Sequence, residues 1–474
     1  MMTITAIAVH CQERAMIWYF GNQVGIDFNN ANPQELTNSS MVAEAGCSSI
    51  CDTMGSLLFY TNGKKVWNRN HQQMPNGDSL KGSQLLNQNS VITPLPNSNT
   101  NYYLFTISDL DTIRGFNYSI IDMNMDNGLG DLAVKNVLIE NNVLEKITAV
   151  EHCNGKDYWI IIHGHQNKFY SYLLTEEGFS DIAIESIVGT SPKADIGYMK
   201  VSPNSNKIVL PINDEELLAE VCTFNNRTGT ISDPIKVYSK HDQTYCYGLA
   251  FSSSGNMLYL STRGMDYRIW QYNLEENNEI SLNESAINIS GGNNFAMQLA
   301  PNGKIYIASE NRPYINAINK PNALGIDCNY ESQAITFSQS TSLMGLPNFM
   351  QTWLYKPIFN IENTCLNDTT IFSFNPNETT DSCRWNIYNS SGLEIASFNN
   401  YYDFYVFDDT GNYRVELNIF HCGVNDVIED IIGIFPYPVS ELVPDTSMCN
   451  NCTLELDAGA GFDSYLWSDS STNQ

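Results

Sequence analysis

An all-β fold is predicted by three observations. Helical periodicity is nearly absent, short apolar strands are separated by polar turns, and these strand–turn–strand units recur at a near-constant spacing. Four turns show the pattern plainly: His152-Cys-Asn-Gly155, Ser202-Pro-Asn-Ser205, Ser252-Ser-Ser-Gly255 and Ala300-Pro-Asn-Gly303, each between two apolar runs. Gly in such a turn supplies the positive φ that a tight hairpin needs. The intervals from His152 to Ser202 to Ser252 to Ala300 are 50, 50 and 48 residues.

Extending the spacing gives a further unit at Asp52, in Ile50-Cys-Asp-Thr-Met-Gly55, a weaker one at Pro96 and a last one at Pro347. Seven units then cover residues 17–355. Repeats of about 40–50 residues with four short strands each are the blades of a β-propeller. One four-stranded sheet leaves both faces uncovered, and stacking sheets around an axis covers them. The strand Ile17-Trp-Tyr-Phe20 is expected to complete the last blade and close the ring. Residues 1–16 are short and apolar without a basic start, and read as the remnant of a signal peptide or leader, or as an ordinary first strand.

The composition changes near residue 356. Thr369-Thr-Ile-Phe-Ser-Phe374, Cys383-Arg-Trp385-Asn-Ile387 and Tyr402-Asp-Phe404-Tyr-Val406 are strands, followed by the alternating run Gly411-Asn-Tyr413-Arg-Val415-Glu-Leu417-Asn-Ile419. Its alternation directs Tyr413, Val415, Leu417 and Ile419 to one core. Residues 356–436 therefore predict a PKD-like or Ig-like β-sandwich. After Pro436-Tyr-Pro438, residues 437–474 read as the start of a second, incomplete Ig-like module.

The charge balance narrows the partners. With 24 Lys+Arg against 52 Asp+Glu the net charge is −28, so a nucleic-acid partner and an anionic membrane surface are both disfavoured. No apolar run reaches the ~18 residues of a membrane span, and no membrane insertion is expected. The 12 cysteines are scattered, and the two close pairs, Cys47/Cys51 and Cys449/Cys452, sit at opposite ends. That spacing argues against zinc and for local disulfides or buried thiols.

Several stretches carry a family likeness: Ile17-Trp-Tyr-Phe-Gly21, Leu58-Phe-Tyr-Thr-Asn-Gly63, Val66-Trp-Asn-Arg-Asn-His71 through Met74-Pro-Asn-Gly77, Lys146-Ile-Thr-Ala-Val150, Tyr158-Trp-Ile-Ile-Ile-His-Gly164 and Gly345-Leu-Pro-Asn-Phe349. Over residues 17–355 they resemble the N-terminal propeller of large secreted Bacteroidetes proteins that carry PKD or Ig-like modules and a type IX secretion sorting domain associated with gliding motility. Trp385 with Gly411-Asn-Tyr413-Arg-Val415 resembles a PKD domain, without its usual acidic-Gly turn after the Trp. Leu456-Asp-Ala-Gly through Trp467-Ser resembles the opening of the Ig-like repeats before the sorting domain. The resemblance implies a secreted or cell-surface location and leaves the activity open.

Candidate chemistry is local. Asp122-Met-Asn124-Met-Asp126-Asn-Gly128-Leu-Gly-Asp131 alternates oxygen side chains before glycine, as a calcium loop does for an ion that takes about six to eight oxygens. It departs from the EF-hand, with Ala133 where that loop has its closing Glu, and reads otherwise as a blade turn that binds nothing. His163 and His165 share one strand face, with His152 on the neighbouring strand. They are a metal pair or a core histidine beside a turn histidine. Asp52, Asp111, Asp157 and Glu310 are carboxylates from which no acid/base pair can be chosen by sequence. Tyr102-Tyr103, Tyr158-Trp159 and Tyr401-Tyr402 are stacking candidates for sugar rings, half of them core by geometry. A Cys365–Cys422 disulfide would close the sandwich. No nucleophile elbow, P-loop or dinucleotide fingerprint appears.

The expectation is a binding or adhesion protein of the cell exterior. Its propeller mouth would present a surface to a glycan or extracellular protein, with the sandwiches as spacers. The alternatives are a propeller enzyme acting on carbohydrate, of lyase, lactonase or glycosidase type, and a purely structural surface component.

Overall fold

The computed structural model describes residues 12–436 except 109–113, 242, 266, 277, 356–358, 375 and 377–379, together with 455–459, 467–468 and 471–472. Among the described residues the chain is all-β, with one short α-helix, Glu279–Glu284. It divides into two compact units. The first is Met1–Ile358 with Pro376–Ser382 and Ile419–Val427; the second is Phe359–Asn375, Cys383–Asn418 and Ile428–Gln474.

Seven antiparallel sheets follow one another in the first unit. The first joins Gln34–Leu36, Val24–Asp27, Ile17–Asn22 and Val42–Ala43. The second has three strands, Ser48–Cys51, Leu57–Thr61 and Val66–Asn68. Five four-stranded sheets, each paired in chain order, start at Ser90–Pro94, Val143–Glu151, Lys200–Val201, Thr244–Phe251 and Met297–Leu299.

One turn recurs and explains the spacing. After the first strand of a sheet, the amide of Asp52, His152, Ser202, Ser252 or Ala300 donates across the turn to Ser56, Asp157, Lys207, Met257 or Lys304. The same residue's carbonyl accepts from the residue three further on, which is a glycine in four of them: Gly55 (φ +79°), Gly155 (φ +65°), Gly255 (φ +82°) and Gly303 (φ +78°). Ser205 takes this place with φ +61°, a conformation that glycine adopts without the steric cost. In the third sheet the anchor is Leu95, one residue from the expected Pro96, with its amide donating to Asn101. Pro347 anchors no hairpin. It lies in a parallel bridge with Cys47, and the sheet expected there is built from the N-terminal strands.

The ring closes through side chains of the first sheet. Trp18, fully buried, sets its indole 6.0 Å from the Tyr306 ring of the seventh sheet, edge on. Phe28 lies 5.5 Å from the same ring, and Phe20 6.2 Å from Phe337. The folded chain reaches back to Gln12 rather than Ile17. Gln12–Ala15 is a 3-10 turn, Ala15 is buried, and its carbonyl accepts from the Trp18 indole. The leader reading therefore does not extend to these residues; Met1–Cys11 lie outside the described set.

Two sheets are formed by residues 359–434. One is Phe359–Glu362, Thr369–Phe374 and Tyr402–Val406; the other is Glu394–Phe398, Thr380–Tyr388, Gly411–His421 and Val424–Ile434. Trp385, fully buried, meets Phe359 and Phe372 of the first sheet at 5.5 and 5.6 Å. Tyr413, Val415, Leu417 and Ile419 are buried, as their alternation predicts.

The disulfide differs from the expected one. Cys422 is bonded to Cys153 across 269 residues, both within the first unit, while Cys365 is free and half-buried. Spacing within the sandwich favours a local bridge, but it is the tertiary approach of the Cys153 turn that brings two sulfurs together. Cys47, Cys51, Cys222, Cys246, Cys328 and Cys383 are buried thiols. Burial pushes the Cys51 thiol up to about 12, because a thiolate loses its hydration there. Cys449 and Cys452 lie outside the described residues.

Candidate functional site

The axis of the ring is filled. Gln88, at the start of the third sheet, exchanges two bonds with the backbone of Met199 at the start of the fifth, at 2.8 and 2.6 Å. Asn87 donates to the Tyr247 hydroxyl of the sixth sheet at 2.7 Å. Sheets that are not neighbours touch in this way only across the centre. Asn348 adds bonds to the carbonyls of Ser90 and Ile147. Lys200, buried, donates to Met297 O and Gln298 Oε1 at 2.7 Å each. Burial lowers its pKa to about 7. Amides of Asn87, Gln88 and Asn348 thus bond across the centre of the ring.

A polar cleft of about 190 Å³ lies where the Gly291–Asn294 link enters the seventh sheet. This is smaller than the ~300–1,000 Å³ of drug-sized sites. Its floor is a chain of amides and hydroxyls. Asn316 Nδ2 donates to Asn294 Oδ1 at 3.0 Å and to Ser309 Oγ at 3.1 Å, and Asn316 Oδ1 accepts from the Gln333 amide at 3.0 Å. Both asparagines are buried, so these bonds hold them in place. Tyr314, Tyr330 and the exposed Arg312 are also in the lining. Burial raises the Tyr330 pKa. No carboxylate is in the lining, and among the described residues none lies within ion-pair distance of Arg312. The Arg312 turn is fixed by its backbone, with its carbonyl accepting from Ser342 at 2.8 Å.

The residues singled out by sequence are mostly structural. Asp122 Oδ1 accepts from the Asn124 amide at 2.8 Å. Asp131 is buried, and its two oxygens accept from the amide and side chain of Asn76 at 2.8 and 2.6 Å. Asp126 begins a 3-10 turn, and the carbonyl of Gly128 accepts from the Arg69 guanidinium. The oxygen set anticipated for calcium, Asp122, Asn124, Asp126 and Asp131, is thus divided among turn and inter-sheet bonds. Among the described residues, no three His, Cys, Asp or Glu side chains gather to hold a metal ion.

His163 is a core histidine. It is fully buried, edge on to Phe169 at 4.4 Å, with Nδ1 2.6 Å from Gly164 O and Nε2 unpartnered. His152 Nδ1 instead accepts from Asn154. Burial lowers the His163 pKa from 6.5 to about 3. The folded state therefore resists protonation: its stability is present above pH 6.5 and is lost as pH falls through about 3. His163→Leu is expected to flatten the fall of the urea midpoint between those pH values. Parallel wild-type and variant profiles would refute it.

Asp52 accepts from the amides of Met54 and Ser56, and Asp157 from Asn154; Asp111 lies outside the described residues. Tyr102, Tyr103 and Trp159 are buried, whereas Tyr402 is exposed. Sequence reasoning missed Arg312, Tyr314 and Tyr330. The one signal was an arginine in the turn after a blade's second strand, in a chain short of cations.

A closed ring of seven antiparallel sheets, with successive sheets packed face to face, belongs to the β-propeller class. Similar solved structures include the periplasmic gluconolactonase of Pseudomonas aeruginosa, 10% identical with a TM-score of 0.42, over 70% of this chain and 97% of that chain. A quinoprotein alcohol dehydrogenase-like protein of Bacteroides thetaiotaomicron is 11% identical, TM-score 0.39, over 71% and 77%. The C-terminal WD40 domain of Sif2 is 11% identical, TM-score 0.28, over 70% and 81%. No family model matches the sequence, and no curated protein does. Among the described residues no helix is long and apolar enough to cross a membrane.

Proposed function

We propose that this chain is an exported binding protein of the cell surface. Its propeller takes an acidic sugar at the Arg312 cleft, and its second unit, PKD-like as the sequence resemblance implies, serves as a spacer. The observation that carries the reading is a guanidinium that has no carboxylate partner among the described residues, at a cleft of amides and phenols, in a chain of net charge −28. Where carboxylates are abundant, a cation left open to a cleft is available to a ligand. A planar guanidinium matches a carboxylate with two parallel hydrogen bonds. Amides and tyrosine faces suit the hydroxyls and ring of a sugar. The Cys153–Cys422 bridge favours an oxidising compartment.

The test is titration calorimetry with galacturonate and galactose. Galacturonate is expected to bind at least tenfold more tightly than galactose, and Arg312→Ala to lower its affinity about 10–100-fold, the worth of a charged hydrogen bond. Equal binding of acid and neutral sugar, or an unchanged Arg312→Ala, would overturn the assignment.

The enzyme reading has one observation of its own. Tyr314 and Tyr330 are two phenols beside a guanidinium, a set able to eliminate across a uronate. Arg312 would neutralise the carboxylate, one phenolate would take the C5 proton, the C4=C5 double bond would form as the C4–O bond breaks, and the other phenol would protonate the leaving oxygen. Burial raises the Tyr330 pKa, which leaves little phenolate near neutral pH and favours binding over turnover. Ultraviolet absorbance of an unsaturated uronate, appearing on incubation with polygalacturonate, would reverse that order.

A further inference from the structure

A second cleft lies at the turn after Leu57–Thr61. It measures about 420 Å³, and Lys64, Lys65, Gln73, Asp78 and Leu80 are in its lining. Its one carboxylate, Asp78, is already paired with Lys135 at 3.3 Å. Lys64 and Lys65 are both exposed, and among the described residues neither has a carboxylate within ion-pair distance.

The two lysines stand on a rigid turn. Buried Asn62 accepts from both of their amides, at 3.1 and 3.0 Å, and the Lys64 carbonyl accepts from Leu80 at 3.0 Å. Gly63 holds φ +84°, and the packing leaves no room at neighbouring Gly82, where an added Cβ would lie 2.4 Å from the Gly63 carbonyl. Two lysines on one fixed turn concentrate positive charge at its cleft, which favours a negatively charged group there.

Both clefts open at the same end of the ring. Thr61 pairs with Ser48, and Ile307 with Met297, so the Lys64 and Arg312 turns each follow a second strand where its sheet's first strand begins. Those beginnings are tied together: Ala296 donates to Met344 O at 3.1 Å, and Met344 donates to Glu44 O at 2.9 Å. One sheet, the first, separates the two clefts around the ring.

We infer that the Lys64–Lys65 turn is a second anion site, distinct from the Arg312 cleft, for an acidic substituent further along a polysaccharide chain. The source is a polymer of acidic sugars rather than a nucleic acid, because a chain of net charge −28 repels a continuous phosphate backbone. Two sites on one polymer raise its affinity above that of either alone.

Titration with galacturonate, an oligogalacturonate, a sulfated oligosaccharide and single-stranded DNA of matched length tests this. The wild-type protein is expected to bind the oligogalacturonate at least tenfold more tightly than the monomer. Lys64→Ala/Lys65→Ala should remove most of that gain while leaving monomer affinity unchanged. A preference of the lysine site for the sulfated chain would identify a sulfate ester as its substituent. An oligomer affinity unaltered by the double substitution, absent oligomer binding, or DNA binding as tight as the oligosaccharide would overturn the inference. A lysine-dependent oligomer affinity that survives Arg312→Ala would instead sink the Arg312 reading and leave this one standing.

Discussion

Replacing Trp18 by alanine is expected to destabilise the ring by about 3–5 kcal/mol, the cost of emptying a large buried aromatic site. Trp18 is fully buried. Its indole lies 4.9 Å from Phe28, 5.7 Å from Phe349 and 6.0 Å from Tyr306, and its N–H donates to Ala15 O at 2.9 Å. These contacts join the first sheet to the seventh, so the cavity would form at the seam where N-terminal strands close the ring. Surrounding rings on three sides cannot all collapse inward, which places the cost toward the upper end. Urea unfolding monitored by far-ultraviolet circular dichroism gives the measurement. Trp18→Phe should recover part of the loss, because it restores ring contacts without the indole bond. A midpoint shift no larger than that of an exposed substitution would show that the seam is held elsewhere.

Breaking the Cys153–Cys422 bridge should cost up to roughly 5 kcal/mol. In the loop-entropy picture the gain from a cross-link grows with the logarithm of the closed loop, and 269 residues make a long one. The bridge is backed by a local polar contact. His421 Nδ1 lies 3.0 Å from Cys153 O, and its Nε2 2.7 Å from Asp426 Oδ2. That carboxylate raises the His421 pKa. Cys153→Ser/Cys422→Ser is expected to lower the thermal midpoint in the absence of reductant. Reductant should then lower the wild type toward the variant and leave the variant where it is. Non-reducing peptide mapping should return one cross-linked pair containing Cys153 and Cys422, with Cys365 alkylated as a free thiol. Two free thiols at 153 and 422 in the oxidised protein would refute the bridge.

The calcium loop and the histidine pair show where a linear reading stops. Asp122-Met-Asn124-Met-Asp126 has the alternation of a cation loop, but Asp131 is drawn away by Asn76, 55 residues earlier. His163 alternates correctly with its strand neighbours, yet in this ring both faces of a sheet are covered, so period two cannot say which side chains meet solvent. The Arg312 cleft collects Asn294, Ser309, Tyr314 and Tyr330 from one link, one turn and two strands. The register of the seventh sheet shifts between Ile315 and Ala317, at the Asn316 that bonds Asn294 and Ser309.

What the amino-acid sequence determined by itself was the all-β class, the roughly fifty-residue rhythm and the place of most blade turns. Each of these rests on short-range chemistry: alternating burial, and a turn whose two backbone bonds span only a few residues. Only the tertiary structure decided the partner of Cys422, the bonds of Asn87, Gln88 and Asn348 across the axis, and the placing of Arg312, Lys64 and Lys65 at two clefts. Those outcomes depend on groups far apart in the chain being brought within bonding distance, and residue spacing carries no information about that.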